Sequence, residues 1–115
     1  MNRRLRALAV AAAAAGSTIL ATNPVSAVEM VTTYEAVNQR DYPDSKSAWQ
    51  GTYPANHTVL GLCWTWGETI TDNGITNDVW VATGRHSNGR YTAWISAVYL
   101  KGNATGGVTN YCSWL

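Results

Sequence analysis

The stretch Leu60–Trp66, LGLCWTW, sets Leu60, Leu62, Trp64 and Trp66 at every second position, with Gly61, Cys63 and Thr65 between them. Period-two alternation is the pattern of a strand whose bulk lies on one side. The sequence predicts that Leu60 and Leu62 pack inward and that one or both tryptophans sit near a rim or under the C-terminal tail. The rest of the chain agrees with a strand reading. Beyond residue 28 no segment sustains an i, i+3, i+4, i+7 apolar pattern over three turns, whereas β-branched and aromatic runs recur between turn residues. Strands are expected over Val31–Val37, Ala48–Tyr53, Thr58–Trp66, Asp78–Thr83 and Arg90–Ile95. Asn88-Gly89 is the strongest hairpin signal between them, and Gly67–Asn77 reads as a long loop.

The chain opens with MNRRLRALAVAAAAAGSTILATNPVSA, in which Arg3, Arg4 and Arg6 precede an alanine-rich run and Val25 and Ala27 supply small residues before a cleavage point. These are the parts of a secretory signal peptide over residues 1–27. The apolar run is short of the roughly 20 residues a spanning helix needs, so no stable membrane insertion is expected once the signal is gone. Removal leaves Val28–Leu115, enough for one small domain with a thin core. Five cations remain, Arg40, Lys46, Arg85, Arg90 and Lys101, against seven carboxylates. A weakly acidic domain with no basic stripe is a poor partner for nucleic acid, whose binding rests on phosphate neutralisation.

Cys63 and Cys112 are the only cysteines. In an exported chain with a thin core their expected state is a disulfide, which by closing a long loop would stabilise the fold by roughly 4 kcal/mol. Two cysteines without an accompanying histidine do not make a zinc site, and Asp72–Asp78 lacks the ligand order of a calcium loop. The expected metal and cofactor complement is therefore none. No catalysis is expected either: the carboxylates are scattered, His57 and His86 sit in polar turns, and no GxSxG or HExxH motif occurs. Six Trp, six Tyr and no Phe in so small a domain exceed what its core can bury, and rings with one polar end suit a binding surface.

Three stretches carry a family resemblance. AVNQRDYP (Ala36–Pro43), GTYPANHTVLGLCWTWGE (Gly51–Glu68) and VWVATGRHSNGRYTAWISAVYL (Val79–Leu100) resemble, in order and spacing, the bacterial SH3-like domain in its small secreted actinobacterial form. Asn56 stands where the family has a turn glycine, and Ala93 replaces the glycine before Trp94. For the all-β fold that the strand pattern predicts, the resemblance implies a small SH3-like barrel of about five strands over residues 28–100; the tail over residues 101–115 lies outside the resemblance, and its Gly and Asn content predicts an irregular segment tied back by the disulfide at Cys112. The resemblance also implies a recognition groove at Tyr42, Trp80 and Tyr99, with Asp41 and Asp44 in the first loop available to select a basic group. The function expected on these grounds is a secreted, extracellular or wall-associated, non-catalytic binding module. Its partner would be an extracellular protein or peptide, or a peptidoglycan stem peptide. A small secreted inhibitor or effector acting through the 67–77 loop, and a structural surface protein without a small ligand, are the competing expectations.

Overall fold

A computed structural model describes residues 29–113; the signal peptide expected over residues 1–27, together with Val28, Trp114 and Leu115, lies outside the described residues. Strands β1 (Glu29–Thr32), β2 (Val37–Arg40), β3 (Trp49–Tyr53), β4 (Thr58–Gly61), β5 (Cys63–Asp72), β6 (Ile75–Arg85) and β7 (Tyr91–Ser96) follow in order, then a 3-10 turn, Ala97–Tyr99. The fold is mostly β, as expected. It is built as two antiparallel sheets, β1-β4 and β3-β2-β7-β6-β5, and the described residues form no continuous closed barrel. The link between the sheets is local: Thr33 bridges to Leu100, and Leu62 N–H donates to Ala82 O at 2.9 Å.

Two expected strands are each divided between the sheets. Val31–Val37 is interrupted after Thr32, and Thr58–Trp66 breaks at Leu62. The break overturns the inward placement of Leu60 and Leu62. Val59 and Gly61 face Val31 and the core, so the intervening Leu60 points away, opposite Met30, which is 55 % exposed. The buried residues of LGLCWTW are the small ones, Gly61, Cys63 and Thr65. Gly61 is required by close packing, because a Cβ there would lie 2.8 Å from Val108 and 3.0 Å from Val31.

The main core lies between the sheets, where Val31 and Val59 meet Val37, Val81, Ile95 and Val108. A second core occupies the other face of the large sheet and joins Trp80, Ala82 and Trp94 to Cys63 and Cys112. Alternate residues of β6 feed the two, which is why Val79–Ala82 is a continuous apolar run buried throughout. The tail ties in at the β5 edge: Trp64 N–H donates to Asn110 O and Cys112 N–H to Trp64 O, both at 2.9 Å, and Cys63 is bonded to Cys112 across a separation of 49 residues.

The 67–77 segment is a correction. It is a β-hairpin and not a loop, because Asp72 pairs with Ile75 and leaves a two-residue turn at Asn73-Gly74, both in the left-handed region (φ 55° and 75°) that hairpin twist favours. Asn88-Gly89 does join β6 to β7 as expected, although there only Gly89 takes positive φ. Asn56 and Ala93, which stand where the resemblance has glycines, have φ 57° and 53°. Asparagine takes up that region at low cost, and alanine only under strain.

Two outcomes follow for stability. Replacing both cysteines by serine should lower Tm by roughly 10–40 °C, as loss of a bridge costing about 2–5 kcal/mol would in a domain of this size; an unchanged melting curve would show that the tail is held without it. Ala93→Gly should raise unfolding free energy by up to about 1 kcal/mol by relieving the left-handed alanine. Urea titration of the two proteins measures it, and a loss of stability would mean that the Ala93 methyl contributes more in packing than its backbone costs.

Candidate functional site

The loop between β2 and β3 is short, polar and closely tied down. Asp44 Oδ1 accepts from Lys46 N–H (2.9 Å) and Ser47 N–H (2.6 Å), which folds the turn on itself. Glu68 anchors it to β5: its carboxylate accepts from Ser45 N–H and Oγ–H at 2.7–2.9 Å, its N–H donates to Pro43 O, and its carbonyl accepts from the Trp80 indole at 2.9 Å. The Ser45 N–H, then the Ser45 hydroxyl, hold the Glu68 carboxyl below its usual range. Such close contact requires Gly67, where a Cβ would fall 2.3 Å from Pro43 O.

Asp41 fastens the other end. Its carboxylate accepts from His86 Nε2 (2.8 Å), Thr92 Oγ1 (2.9 Å), Gln50 Nε2 (3.1 Å) and Arg90 Nη2 (3.1 Å). The His86 and Thr92 hydrogen bonds, then Arg90, pull its pKa from 3.8 to about 2. Asp41 and Asp44 thus both serve the loop itself.

The loop is a wall between two depressions. On one side a cleft of about 160 Å³ is lined by Glu35, Val37, Arg40, Ser45, Ile70, Trp80, Ser96 and Tyr99. Trp80, 3 % exposed, is its floor; the half-buried Tyr99 hydroxyl donates to Asp72 Oδ2 at 2.8 Å. Desolvation first, then that hydrogen bond and the nearby negative charge, push the phenol up to about 12. Ser96, 2 % exposed, accepts from Val98 N–H, and among the described residues nothing takes its own proton. On the other side Tyr42, 49 % exposed, lies with Pro43, Arg90, Tyr91 and Trp94. Trp80 and Tyr99 therefore share one cleft, and Tyr42 belongs to another.

A ring cluster at the tail was not nominated individually by the sequence. Trp64, Trp66 and Tyr111 pack with centroids 4.9–5.4 Å apart, Trp66 being 58 % and Tyr111 46 % exposed. The alternation of LGLCWTW flagged the two tryptophans, but only the pairing of the tail with β5 brings Tyr111 to them. Among the described residues no group of three or more His, Cys, Asp or Glu could hold a metal ion. No family model, curated protein or solved structure matches the chain.

The Asp41 network has a pH signature. A carboxyl whose folded pKa lies below its unfolded one stabilises the fold above pH 4 and loses that contribution as pH falls towards 2. Unfolding free energies measured across that interval should fall for the parent and fall less for Asp41→Asn, which should also be the less stable protein at pH 7. Parallel profiles would remove Asp41 from the account.

Proposed function

We propose that the protein is a small exported SH3-like binding module that docks a peptide in the Trp80–Tyr99 cleft, an extracellular peptide or a stem peptide of the cell wall. The observation that carries this reading is the cleft's make-up: an indole floor, a tyrosine wall, Glu35 and Arg40 as opposite charges, and a buried Ser96 hydroxyl whose proton no described residue accepts. A peptide offers a matching mix of carbonyl acceptors, apolar side chains and charges. The 3-10 turn Ala97–Tyr99, followed by Leu100 bridging back to Thr33, sets Tyr99 in the cleft, and this supports the SH3-like reading, since the resemblance implies a groove at Tyr99. Export is supported by the disulfide, which belongs to a non-reducing compartment, and by the leader sequence. No helix among the described residues is long and apolar enough to cross a membrane.

Pull-down with purified wall sacculi, set beside pull-down from culture supernatant, tests the partner class. Retention on sacculi is expected, and capture of a single supernatant protein instead would favour the inhibitor or effector reading. Tyr99→Ala should weaken binding about thirtyfold, the loss of an anchor contributing about 2 kcal/mol, while Tyr99→Phe keeps the ring and most of the affinity. Equal binding by parent and Tyr99→Ala, with matched melting curves, would move the site elsewhere.

A further inference from the structure

The Trp80–Tyr99 cleft carries opposite charges on its two sides. Arg40 lines it next to the 41–47 loop, and its Nη1 donates to Ser47 O at 3.1 Å. Glu35 lines it beside the Asn73-Gly74 hairpin turn, where Asn73 Nδ2 donates to Glu35 Oε1 at 2.8 Å. Neither charge has an opposite partner within 4.0 Å among the described residues. The hairpin thus fixes the Glu35 carboxylate and occupies one of its oxygens, while Oε2 accepts from no described residue.

The Glu35 side is reinforced in its negative charge. Asp72 accepts the Tyr99 hydroxyl at 2.8 Å and stands behind that ring without lining the cleft. After burial and Asp72, the Glu35 charge also raises the Tyr99 phenol, so both carboxylates lie close to one hydroxyl. Between the two charges the floor is apolar, made of the Trp80 indole, Ile70 packed beside it and the buried Val37. Ser96 lies opposite Trp80 across β6 and β7, 2 % exposed; it accepts from Val98 N–H at 3.2 Å, and its own proton has no acceptor among the described residues. Leaving a buried hydroxyl proton unpaired is costly, so this position in the cleft wall calls for an acceptor from outside the chain.

We infer that the cleft reads a lysine-type side chain of its peptide: the unbranched alkyl stem lies along Trp80 and Ile70, the primary ammonium ends on Glu35 Oε2, and Ser96 donates to a backbone carbonyl of the same peptide. The inference rests on this cleft being the peptide-docking site. Charge sets the direction, because Arg40 repels an ammonium from the opposite side. A guanidinium is the poorer fit, since its two-pronged bond needs both carboxylate oxygens and Asn73 holds one. An α-ammonium brings no alkyl stem to the indole floor. A neutral side chain of the same length covers the floor but takes water from Glu35 and returns no counter-charge.

The test is titration of the full oxidised chain with acetyl-Ala-Lys-Ala-amide and with the same tripeptide carrying norleucine, Nε-acetyl-lysine or arginine at its centre. The lysine peptide should bind about tenfold tighter than the norleucine and acetyl-lysine peptides, as one hydrogen bond to a charged group contributes, with arginine between them and the margin shrinking as salt is added. Glu35→Gln keeps an acceptor for Asn73 and removes the charge. It should bring the lysine peptide down to the level of the norleucine peptide, whose own unchanged affinity shows that the variant is folded. Tyr99→Ala should weaken all four peptides together. Equal affinities for the four, each lowered by Tyr99→Ala, would overturn the inference and leave the cleft as the docking site. A Glu35→Gln protein that still prefers lysine, or arginine bound as tightly as lysine, would overturn it in the same way. Binding of none of the four at millimolar concentration, or binding indifferent to Tyr99→Ala, would overturn both the inference and the docking reading on which it rests.

Discussion

The Cys63–Cys112 bridge is the constraint on which the rest of the structure depends. It pins the tail against the edge of β5, and in doing so it completes two cores at once. Val108, a few residues before Cys112, closes the space between the sheets against Gly61, and the bridge itself is packed with Trp80 and Trp94 on the opposite face. A domain this small buries too little surface to hold two cores by burial alone, so a covalent limit on the unfolded chain carries weight that a larger protein would not need. The same tie sets Tyr111 against Trp64 and Trp66, leaving an exposed aromatic ridge where β5 would otherwise present a bare edge.

The second organising element is the loop from Asp41 to Ser47. It is held at one end by the hydrogen bonds converging on Asp41 and at the other by Glu68, with Gly67 permitting the backbone contact between. A loop this firmly tied gives fixed walls to the depressions on either side, and a pre-formed site loses less ordering entropy on binding than a mobile one. One depression mixes charge, hydroxyl and indole; the other is apolar but for Arg90. Both draw on tryptophans of the second core, Trp80 and Trp94, so the surfaces offered to a ligand are continuous with the packing that holds the sheet.

Much of the fold was legible in the sequence because its signals are local. Strand character, the hairpin at Asn88-Gly89 and the surplus of amphipathic rings follow from period, turn chemistry and composition, which need no knowledge of neighbours. The pairing of the two cysteines followed from their number and from the signal peptide expected at residues 1–27. The positive φ of Asn56 was readable only through the resemblance, which has a turn glycine at that place. The hairpin at Asn73-Gly74 carries the same turn signal as its counterpart, but the half-buried positions leading into it, Glu68, Ile70 and Asp72, are mostly polar, so the alternation in burial leaves no alternation in hydropathy to read.

What only tertiary structure decided was direction. LGLCWTW announces alternation but not which phase faces the core, and the ordinary inference that large side chains go inward fails here. The strand breaks at Leu62 to pass from one sheet to the other, and the approach of Val31 and Val108 leaves space at Gly61 for nothing larger than a hydrogen atom. The groove nominated as Tyr42, Trp80 and Tyr99 was likewise divided by a loop whose anchors, Asp41 to His86 and Ser45 to Glu68, lie 45 and 23 residues apart in sequence. The sequence by itself determined that the chain forms strands, turns at particular glycines and asparagines, and carries more rings than it can hide. Which rings are hidden depends on contacts between distant segments, and those are set by packing two thin cores around one sheet.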